Sequence, residues 1–271
     1  MGLRAASAVG GGIGWAAGKV SKKRNANARA GMAIALPHLS EAEHARLIRK
    51  MWRNIGRNIG ETVHMGFLHR RRDARFRITG AAHVEQARAG GRPVIFFAAH
   101  LSNWEVLTVA LLKMSGRLII GYRHIDNPHL DRLVRGLRES AAGITYIPDT
   151  RPAYRRLLRA IEGGASFGLL IDQRSRQGED VEFFGKTVKA RSTIARLGRR
   201  YDLPLIPCRI RRRAGAPIGF YDVEFSPPVR VARTDDAEAD VAEAMRAAYV
   251  HLEKWVEDTP ADWFWVHHRF R

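Results

Sequence analysis

The chain is poor in several things, and each shortage excludes something. It has one cysteine, Cys208, in 271 residues. A lone thiol rules out an intrachain disulfide and any cysteine-based metal cluster. Cys208 sits in "LPLIPCRI", which reads as a strand, so it is expected as core filler. Long apolar runs are missing too. The uncharged stretch Ala5 to Gly18 falls short of the roughly 20 apolar residues a bilayer span needs. It begins like an export signal but offers no good cleavage site. Acids are scarce, 27 against 46 Lys plus Arg, for a net charge of +19 and a pI near 11.1. Such a field draws polyanions: nucleic acid, anionic lipid headgroups or phosphorylated substrates. Several signatures of known chemistry are absent. There is no G-x-S-x-G, no H-E-x-x-H and no dinucleotide fingerprint. Gly18-Lys19 is no P-loop, because Ile13 stands where the first glycine belongs and Val20 where Ser or Thr does. His267 and His268 are adjacent, so they cannot ligate together from one helix face. These absences predict an enzyme or binding protein with no metal and no cofactor.

What is present is ordered. Residues 1–75 read as a basic, helical N-terminal region. Within it "LSEAEHARLIRKMWRNIGRNIGETVHMGFL" carries Ser40 with Glu43 three residues on, a capping box, and apolar residues at helical spacing from Leu47 to Ile59. The segment around Trp15, followed by "KVSKKRNANAR", has two readings: an interfacial helix with cations for anionic lipid, or an Ala/Gly helix packed on the rest. Residues 76–271 alternate strand and helix patterns: "PVIFFAA", "NWEVLTVALLKMSG", "RLIIGYR", "NPHLDRLVRGLRES", "ITYIP", "PAYRRLLRAIEGG" and "FGLLID". After a loop come the helix "STIARLGRRYD", two late strands, a helix from Asp236 to about Glu257 and an aromatic tail. The pattern predicts an α/β fold with a mostly parallel or mixed central sheet flanked by helices. Functional groups are then expected at the carboxyl ends of the strands.

His100 stands at such an end, and Glu105 in the first turn of the next helix, which Ser102 or Asn103 can cap. A carboxylate holding one imidazole nitrogen raises the basicity of the other, which can take a proton from a hydroxyl. Without a nucleophile motif in the chain, that hydroxyl belongs to the substrate. The competing reading makes the two residues a helix-capping pair. A reading from a different class, a basic nucleic-acid-binding protein, accounts for the charge but finds no recognition motif and leaves the pair idle.

The block "AAHLSNWE" resembles the His-x4-Asp/Glu block of the lipid A biosynthesis lauroyl/myristoyl acyltransferases, within the lysophospholipid acyltransferase superfamily. "NIGRNIGETVHM", "GYRHIDNPHLDRLVRGLRES", the segment from "GGASFGLLIDQ" to "RSTIARLGRR" and "TPADWFWVHHRF" resemble further blocks of that family, in order along nearly the whole chain. The resemblance implies a glycerol-phosphate-acyltransferase-like fold and transfer of an acyl chain from an acyl-carrier-protein or acyl-CoA thioester to a hydroxyl of a phosphorylated glycolipid, a lipid A precursor. Another phospholipid, glycolipid or ornithine lipid is the alternative acceptor. It implies work at the cytoplasmic face of the inner membrane, on an anionic surface and peripherally, with no nucleic acid as partner. It makes His100 the general base and Glu105 its orienting partner. Asn103, Arg123, Arg138 and Asp172 fall to substrate binding, Arg123 and Arg138 gripping a phosphate or steadying the thioester oxygen. The loop cations Arg174, Arg176, Lys186, Lys189 and Arg191 read either as recognition of a bisphosphorylated sugar lipid or as solvated basic surface. Phe183 and Phe184 would line an acyl groove or serve as plain core. Two positions depart from the family pattern: Ser102 replaces the usual Gly, and Asp172 is followed by Gln173 and Arg174 where the family often has Asp-x-Asp.

Overall fold

The computed structural model describes residues 1–122, 128–139, 143–267 and 269–270, without the side chains of residues 128, 130, 133, 139, 151, 176 and 177. Five helices come first: α1 (Leu3–Val20), α2 (Lys22–Ala35), α3 (Glu41–Thr62), α4 (Met65–Arg70) and α5 (Arg72–Arg75). Then come β1 (Phe76–Thr79), α6 (Ala81–Ala87), β2 (Ile95–Ala98), α7 (Trp104–Ser115), β3 (Leu118–Tyr122), α8 (Pro128–Glu139), β4 (Ile144–Pro148), α9 (Arg151–Glu162) and β5 (Ser166–Leu170). The chain closes with β6 (Arg174–Phe183), β7 (Lys186–Ala190), α10 (Thr193–Tyr201), β8 (Leu205–Arg212), β9 (Tyr221–Phe225) and α11 (Ala237–Asp258).

Seven strands form one sheet in the order β1-β9-β8-β2-β5-β3-β4. Only the β8–β9 pair is antiparallel. Apolar clusters cover both faces, as parallel pairing requires. One cluster brings α4, α6 and α7 onto the sheet, with Met65, Val84, Val106 and Val109 fully buried. The other brings α2, α3, α9, α10 and α11 onto the opposite face, around Met32, Ile194, Met245 and Trp255.

The N-terminal glycines serve packing. α1 and α3 run antiparallel in direct backbone contact, and a Cβ on Gly10 would lie 2.3 Å from the Gly56 carbonyl oxygen. A Cβ on Gly60 would lie 2.2 Å from that of Ala6. The capping box predicted for α3 is formed, with Ser40 and Glu43 satisfying each other's backbone N–H.

The sequence reading takes the residues after Asp172 as a loop; they form the two-stranded hairpin β6–β7. Its signal is alternation: Val181, Phe183, Val188 and Ala190 turn inward between exposed Asp, Glu and Lys. Phe184 and Gly185, at φ 52 and 66, make the left-handed two-residue turn that such a hairpin wants.

Candidate active site

Strands β2, β3, β4 and β5 end around a cavity of about 980 Å³. The ladder between β3 and β5 stops at Ile120–Gly168. Beyond it β5 stays with β2 as far as Ala98–Leu170, while β3 stays with β4 as far as Tyr122–Pro148. The sheet splits there, at the carboxyl edge. Glycines keep the split open: a Cβ on Gly168 would come within 2.7 Å of Ile120 Cδ1, and one on Gly121 within 3.0 Å of Leu169 Cδ1. Leu107 and Leu111 of α7 add to the apolar lining, and the fully buried Cys208 reaches the cavity wall. Burial pushes its thiol pKa well up, so it stays a neutral, core-like group, as expected.

His100 and Asp172 meet at this edge. Imidazole Nδ1 lies 2.7 Å from Asp172 Oδ1. The other carboxylate oxygen accepts from the His100 backbone N–H at 2.9 Å and from Trp263 Nε1 at 2.8 Å. Burial works to raise the Asp172 pKa, but the charge and hydrogen bonds of His100, with the Trp263 bond, outweigh it and hold the carboxyl down at about 2. An ionised Asp172 fixes the tautomer with the proton on Nδ1, leaving Nε2 as the free lone pair. Nε2 faces the cavity and meets the side-chain amide of Gln173 at 3.2 Å. Trp104 and Phe264 flank the ring, with centroids 5.0 and 6.2 Å away.

The expected His100–Glu105 partnership is not formed. Glu105 instead takes a bidentate fork from Arg138, at 2.9 and 2.7 Å. Register is the reason. Ala98 pairs with Leu170 across β2 and β5, so two residues further on His100 is level with Asp172. Glu105 has already turned onto α7 and faces α8. Arg138 lies 5.4 Å from the ring centroids of both Tyr122 and Tyr146, so its charge is held by a carboxylate and two aromatic faces. Glu105 and Arg138 both line the cavity.

The other expected residues divide. Arg174 is exposed and lines the cavity; Arg191 also lines it, ion-paired with Asp149. Arg123 lies outside the described residues, as does the side chain of Arg176. Three expectations are corrected. Asn103 is fully buried: its oxygen caps α7 through the Val106 N–H and its amide donates to Glu61, so neither atom is left for substrate. Lys186 is exposed at the hairpin turn and does not line the cavity, because the hairpin carries it away. Phe183 is fully buried, stacked on Phe270 and edge-on to Tyr249 and Trp263, and Phe184 packs against the same core cluster. Neither lines the cavity. Sequence reasoning missed Trp104, Phe264 and Arg24, which do. The two aromatics lie inside the blocks "AAHLSNWE" and "TPADWFWVHHRF". Arg24, from α2, had no signal beyond its charge.

An imidazole tied on one side to a buried carboxylate, with its other nitrogen facing a cavity, is an arrangement able to take a proton from a hydroxyl. Comparison with known proteins supplies the family. The family model for the bacterial lipid A biosynthesis acyltransferases matches residues 1–271. The chain belongs to that family, and it is an acyltransferase. It is 24% identical over 257 residues to a lipid A biosynthesis acyltransferase of Haemophilus influenzae, covering 92% of this chain and 76% of that protein. It is 25% identical over 272 residues to a lipid A biosynthesis lauroyltransferase of Escherichia coli, covering 97% and 84%. Among solved structures, the 1-acyl-sn-glycerophosphate acyltransferase PlsC of Thermotoga maritima matches with a TM-score of 0.40 and 15% identity, over 86% of this chain and 92% of that one.

Proposed function

We propose that this enzyme moves a fatty acyl chain from a thioester, on acyl-carrier protein or coenzyme A, to a hydroxyl of a phosphorylated lipid A precursor. The observation that carries the reading is the His100–Asp172 pair opening onto an apolar cavity at the split edge of the sheet. The acceptor hydroxyl replaces the Gln173 amide at Nε2 and gives its proton to the imidazole. Its oxygen attacks the thioester carbonyl, a C–O bond forms and the C–S bond breaks. The leaving sulfur takes the proton back from His100. Asp172 holds the ring and stabilises the imidazolium between these two transfers. The acyl chain lies in the slot between β3 and β5, against Leu107, Leu111 and Leu169. Arg174, with Arg138 and Arg24, meets the phosphates of the acceptor. Arg123 completes that set by the resemblance of its block.

The reaction takes place peripherally at the cytoplasmic face of the inner membrane. Among the described residues no helix is long and apolar enough to cross a membrane. Val9, Ile13 and Val20 share one side of α1 and are exposed, and cations Lys19, Lys22 and Lys23 follow at its end. That combination suits an anionic interface.

The test is direct. Purified protein is incubated with lauroyl-acyl-carrier protein or lauroyl-CoA and a bisphosphorylated lipid A precursor, and the lipid is weighed by mass spectrometry. One added acyl chain, lost in His100→Ala, is expected. No addition from either donor, or undiminished addition by His100→Ala, overturns the reading.

A further inference from the structure

α3 shows two unlike faces over its last turns. One is the glycine face against α1. The other carries Asn54, Asn58 and Glu61 at i, i+4 and i+7, all buried. Buried polar groups persist where they are partnered, and no side-chain bond of these three stays within α3. Asn54 donates to Asp262 Oδ1 at 2.7 Å and to the Ala261 carbonyl at 3.2 Å. Asn58 donates to the Ser102 carbonyl and accepts from Arg212 at 2.5 Å. Glu61 accepts from Ser7, Asn103, Tyr221 and Arg212.

These bonds converge on the turn between His100 and α7. Ser102 sits there with φ 49, fully buried, in the left-handed region where a residue with a side chain is strained. Such a conformation persists only when its surroundings over-determine it. Both peptide groups of Ser102 are held: its carbonyl by Asn58, and its N–H by the Asp262 carbonyl at 3.0 Å. Asp262 is in turn held by Asn54, and the next residue, Trp263, donates to Asp172. Asn103, one residue on, is tied to Glu61. The same stripe of α3 therefore grips the turn that carries His100 and the tail that carries the donor to Asp172.

We infer that Asn58, supported by Asn54 and Glu61, is a positioning residue for His100: it holds the Ser102 turn in its left-handed form and so sets where Nε2 meets the acceptor hydroxyl. This rests on the reading of His100 as base. Small misplacements of a catalytic group cost up to about 100-fold in rate. Asn58→Ala is expected to lower kcat about 10- to 100-fold, with KM for the lauroyl thioester within about two-fold. Thr62→Val, which removes a hydroxyl bonded to the Asn58 carbonyl within the same helix, matches it for helix stability and is expected to keep turnover. Glycine adopts positive φ without strain, so adding Ser102→Gly to Asn58→Ala is expected to restore much of kcat. Asn103→Ser keeps a capping oxygen for α7 and cuts only the tie to Glu61; it gives the same kcat comparison should Asn58→Ala fail to fold. Wild-type kcat in Asn58→Ala, or in Asn103→Ser should Asn58→Ala fail to fold, a loss carried by KM, or no recovery with Ser102→Gly overturns the inference. Full activity in His100→Ala would instead sink the reading it rests on.

Discussion

Two buried carboxylates divide the labour in this molecule. Glu61 accepts from five donor atoms and is wholly enclosed between α1, α3, β8, β9 and the start of α7. Asp172 accepts from three, and one of them is an imidazole whose far edge faces a cavity. Both carboxyl pKa values are lowered: burial alone would raise them, but Arg212 and its neighbours outweigh it at Glu61, and His100 does so at Asp172. The chemistry therefore does not follow from the perturbed acid, which the two clusters share. It follows from whether the network ends in a group that a substrate can reach. A saturated network fixes architecture; an open-ended one presents the group that, in the proposed reaction, transfers the proton.

The comparison is sharpened by breaking each end. His100→Ala removes the open terminus and is expected to lose 10²–10⁴-fold in acyl transfer with the chain still folded, because Asp172 keeps the backbone N–H of residue 100 and the Trp263 N–H. Arg212→Met strands the Glu61 charge in the sealed cluster. Losing one partner of a buried pair costs about 3–5 kcal/mol of stability, so its melting curve should fall far more than its kcat per folded molecule. If Arg212→Met were as stable as wild type, the sealed cluster would have no structural weight.

Asp172→Asn comes next. It keeps shape but loses the charge that fixes the tautomer and stabilises imidazolium, and a drop of about 10²-fold in kcat is expected. It also changes acid stability. A carboxyl whose folded pKa lies at about 2, below the ordinary 3.8, stabilises the fold above the ordinary value and loses that contribution as pH falls through about 2. Wild type should weaken between about pH 4 and 2 more steeply than Asp172→Asn does, by on the order of 2 kcal/mol. Parallel acid-denaturation curves would show that Asp172 is not the group responsible.

Gly168→Val tests the cavity rather than the proton path. A side chain at Gly168 collides with Ile120, on the wall of the slot. The expected result is a preference shifted to shorter acyl thioesters, with about 1 kcal/mol lost per excluded methylene. An unchanged chain-length profile, read over a series of saturated thioesters, would move the acyl chain elsewhere.

The sequence carried the frame of all this and missed its cross-links. Strand runs such as "PVIFFAA" and "FGLLID" are legible because buried parallel strands are continuously apolar. His100 stood out as an ionisable group ending one. What one chain cannot display is register. Glu105 is five residues from His100 and Asp172 is 72, yet the β2–β5 ladder sets Asp172 beside the imidazole. The same blindness made Phe183 and Lys186 look like site residues, because the hairpin that removes them from the cavity depends on a two-residue turn read as loop. The glycines of α1 were noticed, but their partners Gly56 and Gly60 belong to another helix, and only the packed structure pairs them.

The smallest expected effect lies at the open end itself. Gln173 stands where the family often carries the Asp-x-Asp spacer, and its amide occupies Nε2 at 3.2 Å. The acceptor hydroxyl competes with that amide for one lone pair. A neutral hydrogen bond of this kind is worth about 0.5–1.5 kcal/mol, which corresponds to roughly 2- to 12-fold in an equilibrium constant. Gln173→Ala removes the competitor while leaving Asp172 and the ring in place, so KM for the acceptor should fall within that range and kcat should change less. An increased acceptor KM in Gln173→Ala would show the opposite role, an amide that helps to bind the acceptor instead of standing in its place.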